Sequence, residues 1–290
     1  MKKKLLITGA SGFLGWNIGT FPQKDWTIIG TYFSNKNGLP NDMEAISLDL
    51  LDFEKTKAFI LKIRPDAILH LAANSSTYLC EKSPEDTYKI NVETPAFLAK
   101  IANEIGSHFV FTSSEQVFSG NDSTYFENDN PSPLNAYGKQ KLAAEKEVSK
   151  FKNTCIVRIA VLFGHAGTGT RNFMHEWIKN WKNDEAITVF HDEVRSFLSG
   201  QSAAQGLFSL LNQQATGIFH LAGKEAVSRL KFANLLKTYA KIPTATIHSK
   251  SQKEVNTLAF RPMNLALDCS NSESFSFVKR GLKEELEKLF

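Results

Sequence analysis

An apolar run, LLIT at residues 5–8, passes directly into TGASGFLG, with glycines at 9, 12 and 15 and a stretch behind them able to continue as a helix. A first glycine permits a tight turn, a second lets backbone approach a pyrophosphate, and a third lets helix pack close on strand. The helix N-terminus adds N–H groups and the positive end of its dipole. Gly9, Ser11, Gly12, Phe13, Leu14 and Gly15 are therefore candidate dinucleotide contacts. The spacing is Gly-x-x-Gly-x-x-Gly, so the reading depends on its surroundings: a strand before the turn and alternating strands after it.

Those surroundings are present. WTIIGTY at 26–32, AISL at 45–48, AILHLAA at 67–73, HFVFTSS at 108–114 and TCIVRIA at 154–160 read as buried strands. Between them, Asp52 opens a helix that ends before Pro65, Ser83-Pro84 opens one that runs to Ile105, and Pro133 introduces one that runs to Lys150. Strand and helix in alternation predict an α/β fold: a Rossmann-type, doubly wound parallel sheet with right-handed crossovers.

After residue 160 the rhythm breaks. Gly164, Gly167 and Gly169 mark a loop, a helix is expected from Arg171 to Asn183, and ITVF at 187–190 reads as a strand. A helix near 201–213, a strand from Gly217, a helix from Ser228 to Tyr239 and a terminal helix over 282–289 follow. At about 150 residues per domain the 290 residues suggest two domains, yet no Gly/Ser/Pro linker separates two beads. The expected division is a dinucleotide-binding core over 1–165, rejoined by about 201–240, with a small interleaved C-terminal substrate lobe from 166–200 and 241–290.

Composition mainly excludes. Hydrophobic residues at 42% and charged residues at 22% describe a chain that builds a core, and 22 phenylalanines against 6 tyrosines predict apolar ring packing. The net charge of +4 comes from basic residues scattered among acids, which offers no stripe for nucleic acid. Cys80, Cys155 and Cys269 suggest neither a disulfide framework nor a metal knuckle, and no two of the seven histidines stand three or four residues apart, so no metal is expected. MKKKLLITGA imitates a signal peptide but meets glycines instead of a cleavage site, and no stretch reaches the roughly 18 apolar residues of a membrane span. The expectation is a cytoplasmic protein whose partner is a small molecule, with no nucleic acid or membrane and with a homodimer left open.

The second strand ends in Thr31, Tyr32, Phe33, Ser34, Asn35 and Lys36, without the acid an NAD-selective site places against the ribose hydroxyls. Ser34 and Lys36 could receive a 2′-phosphate, which favours NADP(H) over NAD(H). A tyrosine four residues before a lysine occurs three times, Tyr32/Lys36, Tyr78/Lys82 and Tyr137/Lys141, where composition predicts about half an occurrence by chance. Tyr32 ends a strand and Tyr78 is expected in a loop. Only Tyr137 and Lys141 fall in a helical run, where Gly138 reads as a tolerable weak point. Ser113 and Ser114 end the fifth strand, at the carboxyl edge where such sheets hold ligands. A free tyrosine titrates near pH 10, so a neighbouring ammonium is needed to bring it into range. Ser114 would orient the substrate oxygen, Tyr137 would transfer the proton, and Lys141 would assist it.

TGASGFLG, Asp49-Leu50, HLAAN at 70–74, Asn91, FTSSEQVFSG, YGKQK and VRIAVLFG stand in the order found in extended short-chain dehydrogenases/reductases, and the chain resembles that family over nearly its whole length. SSEQVFSG, SRLKFA and RPMNLALD are most similar to its dTDP-4-dehydrorhamnose reductase branch. The resemblance implies that Asp49 and Leu50 flank the adenine, that Ala72 and Ala73 leave room for the cofactor, and that Ser114, Tyr137 and Lys141 are catalytic. It also implies that Arg195 and Arg261 are anion contacts of the substrate lobe. One departure is plain: the branch usually has Asp and Tyr after its catalytic hydroxyl, whereas this chain has Glu115 and Gln116. Gln116 cannot ionise, which disfavours a dehydratase needing adjacent acid and base. The expected function is NADP(H)-dependent reduction of a keto sugar, nucleotide-linked, with Tyr137 as proton donor. The alternatives are a sugar-nucleotide epimerase and a non-catalytic NADP-binding regulatory subunit.

Overall fold

The computed structural model describes residues 2–170 and 172–290. The first half alternates as its pattern predicts: β1 (Lys3–Thr8), α1 (Phe13–Thr20), β2 (Trp26–Tyr32), β3 (Glu44–Ser47), α2 (Phe53–Ile63), β4 (Ala67–His70), α3 (Thr77–Lys82), α4 (Pro84–Tyr88), α5 (Thr94–Ile105), β5 (His108–Ser114), α6 (Ala136–Val148) and β6 (Thr154–Ile159). Local chemistry sets the ends. The Asp52 side chain caps α2 by accepting from the Lys55 amide, and Gly106 closes α5 at φ 72°.

The second half holds β7 (Leu162–Phe163), α7 (Phe173–Lys182), β8 (Ile187–Phe190), β9 (Val194–Arg195), β10 (Leu198–Ser199), α8 (Gly200–Asn212) and β11 (Gly217–Leu221). β12 (Val227–Ser228), α9 (Arg229–Tyr239), β13 (Ile247–Lys250), β14 (Asn264–Leu265), α10 (Ser270–Ser274) and α11 (Leu282–Glu287) complete it. Arg171, expected to open α7, lies outside the described residues.

Seven strands form one sheet in the order β11-β6-β5-β4-β1-β2-β3, and every pairing is parallel. This is the doubly wound Rossmann arrangement. Successive side chains of β1 serve opposite faces, as strand geometry requires: Leu5 and Ile7 pack with α8 residues such as Leu207 and Leu211, while Leu6 packs with Ile60 of α2 and Leu98 of α5.

A third core belongs to the lobe and is largely aromatic. Phe232 of α9 lies 4.2 Å from Phe197, 5.1 Å from Phe163 and 5.5 Å from Phe173, centroid to centroid. Four phenylalanines, Phe163, Phe173, Phe197 and Phe232, pack here. Packing draws the boundary differently from the expected division: α9 falls in the lobe's core, whereas Leu265, Leu267 and Phe277 pack against the main sheet. ITVF forms β8 but pairs with β13 in a separate two-stranded sheet.

Three local expectations are corrected. Leu71–Ala73 leave the sheet after His70, because the Ala72 backbone crosses directly over Gly9. The helix expected from Ser83 to Ile105 contains a π-helical segment at Lys89–Glu93, where the Thr94 hydroxyl reaches back to the Lys89 carbonyl and Asn91 turns inward. Tyr78 and Lys82 lie in helix α3, not a loop, so helicity does not separate that pair from Tyr137 and Lys141. Burial does: Tyr78 is 53% exposed and Tyr137 is 9% exposed.

Candidate active site

β1 and β4 are neighbours in the sheet but not in sequence, so their outgoing loops part at the carboxyl edge. Two adjoining cavities of ≈ 600 and ≈ 670 Å³ fill the opening and share Gly9, Gly12, Leu71, Ala73 and Ser75 in their walls.

The larger is framed by the glycine turn and the loop after β4. Gly9 sits at φ +71°, and a Cβ there would lie 2.8 Å from the Ala72 nitrogen, so only glycine lets the two loops cross. α1 starts at Gly12 with no side-chain acceptor, which leaves its first amides available to an anion. Ser11, Asp49, Leu50, Ala72 and Ala73 line this half with Thr31, Tyr32 and Phe33. Phe13, Leu14 and Gly15 line the other. The Asp49 carboxylate is turned to its own loop, accepting from the Leu51 amide at 3.0 Å. An uncapped helix start beneath a glycine crest, in a crevice of this size, fits a dinucleotide. Ser34 and Lys36 do not line the cavity; both are exposed, Lys36 in a short 3-10 turn just beyond it.

The second half is built of side chains. β5 delivers Ser114 to the sheet edge, where its Oγ accepts from the Gln116 amide at 3.2 Å. Across from it α6 presents Tyr137 and Lys141 one turn apart, and all three line the cavity. Asn135 caps α6: its Oδ1 accepts from the Gly138 amide at 2.9 Å, and its Nδ2 donates to Gln116 Oε1 and the Phe260 carbonyl. Such a cap contributes about 1 kcal/mol. Gly138 is a requirement rather than a weak point, since a Cβ there would lie 2.1 Å from the Gln116 carbonyl oxygen. Its absence lets α6 press Tyr137 against the end of β5.

Burial dominates the titration. It pushes the Tyr137 phenol far up and out of the ordinary range, with the Ser114 hydroxyl pulling the other way. It brings Lys141 down to about 8, opposed by Glu145. The Lys141 Nζ donates to the Thr112 carbonyl at 2.9 Å and lies 5.9 Å from the centre of the Tyr137 ring. The expectation that Lys141 would lower Tyr137 is thus outweighed in the free protein by desolvation. A phenol held neutral is a filled proton donor.

The two arginines expected at the substrate are placed otherwise. Arg195 is 2% exposed, its Nε 3.0 Å from Glu115 Oε1 and its Nη2 3.4 Å from Glu193 Oε1. Its remaining donors go to the carbonyls of Val194, Pro262 and Met263. It serves the protein, because a buried guanidinium must fill its donors internally. Arg261 is 42% exposed, 3.7 Å from Glu193 Oε2 and stacked near the Phe190 ring, outside the cavity lining.

Sequence reasoning missed several contributors. Asn91 accepts from the Asn74 amide and donates to Gln140 Oε1, tying the π-helical segment to both the β4 loop and α6. Asn135, three residues before Gly138 and directly before the helical run AYGKQKLAAEKEV, is a capping signal that could have been read. Ser75, Thr77, Asn172 and Phe173 of the cavity wall carry no local signal at all, and Glu115 stood out only as a departure from the branch's pattern.

The family described as RmlD substrate binding domain matches residues 3–290. The chain belongs to that family. RmlD-like chains of this kind include the dTDP-4-dehydrorhamnose reductase of Bacillus anthracis, solved in complex with NADP, which covers 100% of this chain and 99% of its own at TM-score 0.89 and 27% identity. Among sequences, methionine adenosyltransferase 2 subunit beta of Rattus norvegicus is 29% identical over 98% of this chain and 87% of its own length. The probable low-salt glycan biosynthesis reductase Agl14 of Haloferax volcanii is 26% identical over 92% and 90%. The RmlD-like chain is thus an extended short-chain dehydrogenase/reductase of the NAD(P)-binding, reductase-like kind. No helix among its described residues is long and apolar enough to cross a membrane.

Proposed function

We propose that this protein is an NADP(H)-dependent reductase that converts the ketone of a nucleotide-linked sugar to an alcohol. One observation carries the reading: Ser114, Tyr137 and Lys141 converge on the same cavity wall, beside a glycine crest and an uncapped helix start suited to a dinucleotide. The reduced nicotinamide supplies the hydride when bound. The chain supplies the rest. Gly9, Gly12 and the first amides of α1 hold the pyrophosphate, Ser114 Oγ orients the carbonyl oxygen, and Tyr137 Oη gives that oxygen its proton as the carbon accepts the hydride. Lys141, fixed through Thr112, keeps a positive charge beside the phenolate left behind and stabilises it. Replenishing the Tyr137 proton from solvent closes the cycle.

A second reading has its own support. Apart from Lys141, the described residues lining the substrate half include no cation, since Arg195 is consumed by Glu115 and Glu193. The relative from Rattus norvegicus is named as a subunit. In that reading the chain binds the cofactor and associates with a methionine adenosyltransferase catalytic chain without turning over a sugar. NADPH oxidation in the presence of dTDP-, UDP- and GDP-linked 4-keto sugars decides between them. Turnover by the wild type and none by Tyr137→Phe supports the reductase. No turnover, together with stable co-elution with the catalytic chain, supports the subunit. Stoichiometric bound cofactor with sugar conversion but no net NADPH consumption would mean epimerisation.

A further inference from the structure

Glu115 follows Ser114 directly in sequence, yet nothing in the proton-transfer scheme uses it. It is 3% exposed and lines the substrate half. Its two oxygens point to different parts of the molecule. Oε2 accepts from the Val161 amide at 3.3 Å, on the segment Ile159–Leu162 that forms the far wall of the same cavity. Oε1 meets Arg195 Nε at 3.0 Å. Arg195 lies on β9, whose neighbours β12 and β14 belong to the lobe's small sheet, and its Nη atoms hold the carbonyls of Pro262 and Met263.

We propose that Glu115 is a positioning residue: its ion pair with Arg195 fastens the lobe strand β9 and the Pro262–Met263 loop to the catalytic end of β5, setting the width of the substrate half. The inference rests on the reductase reading for its catalytic consequence but not for its structural one. Other ties join the same lobe segment to the region after β5: Asn135 to the Phe260 carbonyl, the Asn264 amide to the Gly120 carbonyl, and Asn264 Nδ2 to the carbonyls of Asp122 and Ser123. All are neutral and do not titrate. Glu115 does. Burial raises its carboxyl to about 7, against the opposing pull of Arg195, the Val161 amide and Arg229, with Glu193 adding to the rise. The charged groups that face it are therefore Arg195 on β9, Arg229 on α9 and Glu193 before β9, with the Tyr137 phenol on α6 sensing its charge. Above pH 7 the carboxylate pairs with Arg195. As pH falls through 7 it takes up a proton, and the tie is reduced to a neutral contact.

The test uses the full chain with NADPH bound. With a dTDP-linked 4-keto-6-deoxyhexose, the wild-type KM should rise about tenfold between about pH 8 and pH 6, following the ionised fraction of one group, with a smaller change in kcat. Glu115→Gln should show the raised KM at both values, with no pH dependence. A Glu115→Gln protein that keeps the wild-type KM and its pH dependence overturns the proposal. Amide hydrogen exchange needs no substrate. Peptides containing Val161 and Val194–Arg195 should exchange faster at pH 6 than at pH 8, after correction for intrinsic rates, in the wild type but not in Glu115→Gln. Equal corrected rates in the wild type overturn the proposal even if the variant does not fold. A wild type that turns over no sugar but shows this exchange difference defeats the reductase reading and leaves the positioning role standing.

Discussion

The two halves of the cleft are made of different materials. The cofactor half is backbone: a glycine crest, a helix start without a cap, and the Leu71–Ala73 segment crossing above Gly9. The substrate half depends on side chains, Ser114, Glu115, Gln116, Tyr137 and Lys141, of which Glu115 is held by Arg195, Gln116 by Asn135 and Lys141 by the Thr112 carbonyl. Backbone amides recognise any pyrophosphate and are insensitive to most substitutions. A side-chain site depends on every support that aims it. The contrast teaches that this chain can keep its cofactor while its chemistry is lost or redirected.

Replacing Tyr137 by phenylalanine tests that contrast most severely. Turnover of keto sugar should fall by roughly a thousandfold, within the range for loss of a general acid, while NADPH affinity from fluorescence titration stays within about twofold. A parallel loss of both would mean that the halves are not separable. Gly138→Ala should come next. The added Cβ has backbone at 2.1 Å, so α6 must move, and kcat should drop by about a hundredfold as Tyr137 shifts.

The alkaline side of the pH profile separates function from stability. Lys141 is brought from 10.5 to about 8, so its ammonium is lost as pH rises through 8, and kcat should fall by up to about tenfold per unit. The sign for stability is opposite. Between about 8 and 10.5 the unfolded chain holds this proton and the folded chain does not, so this group makes the fold more stable as pH rises. Denaturant titrations of the wild type and Lys141→Met across that range should differ in slope. Lys36→Ala should have the smallest effect. With its side chain exposed beyond the cavity, the NADPH-to-NADH preference should change by less than about tenfold, measured as the ratio of Michaelis constants. A larger change would mean that the backbone half relies on a side chain after all.

The cofactor half was legible because its physics is local. Strand, turn and helix start are contiguous from Lys3 to Thr20, and the requirement for glycine at position 9 arises from a crossing whose other member, Ala72, lies in the loop that leaves β4 after His70. The convergence of Ser114, Tyr137 and Lys141, the trio proposed as catalytic, was also legible, since the tyrosine and lysine share one helix and Ser114 ends a clean strand. The assignment of Arg195 was not. A buried arginine and a ligand-binding arginine look alike in sequence, and only the approach of Glu115 from 80 positions away shows where its donors go. Gly138 was misjudged for the same reason, because the Gln116 carbonyl that excludes a side chain there comes from the turn after β5.

Period, punctuation and the glycine turn were sufficient to determine a doubly wound sheet, its cleft and the residues that end on it, because each strand, turn and helix start is marked by a local pattern, even where the pairing that realises it, such as Leu5 with Ala67, is distant in sequence. Tertiary structure alone decided which lobe residues meet that cleft, Arg195 reaching Glu115 in its wall. Whether a charged side chain meets solvent, substrate or an opposite charge depends on which distant segment desolvates it. In this molecule the segments that close over Glu115 and Arg195 are drawn from both ends of the chain's second half.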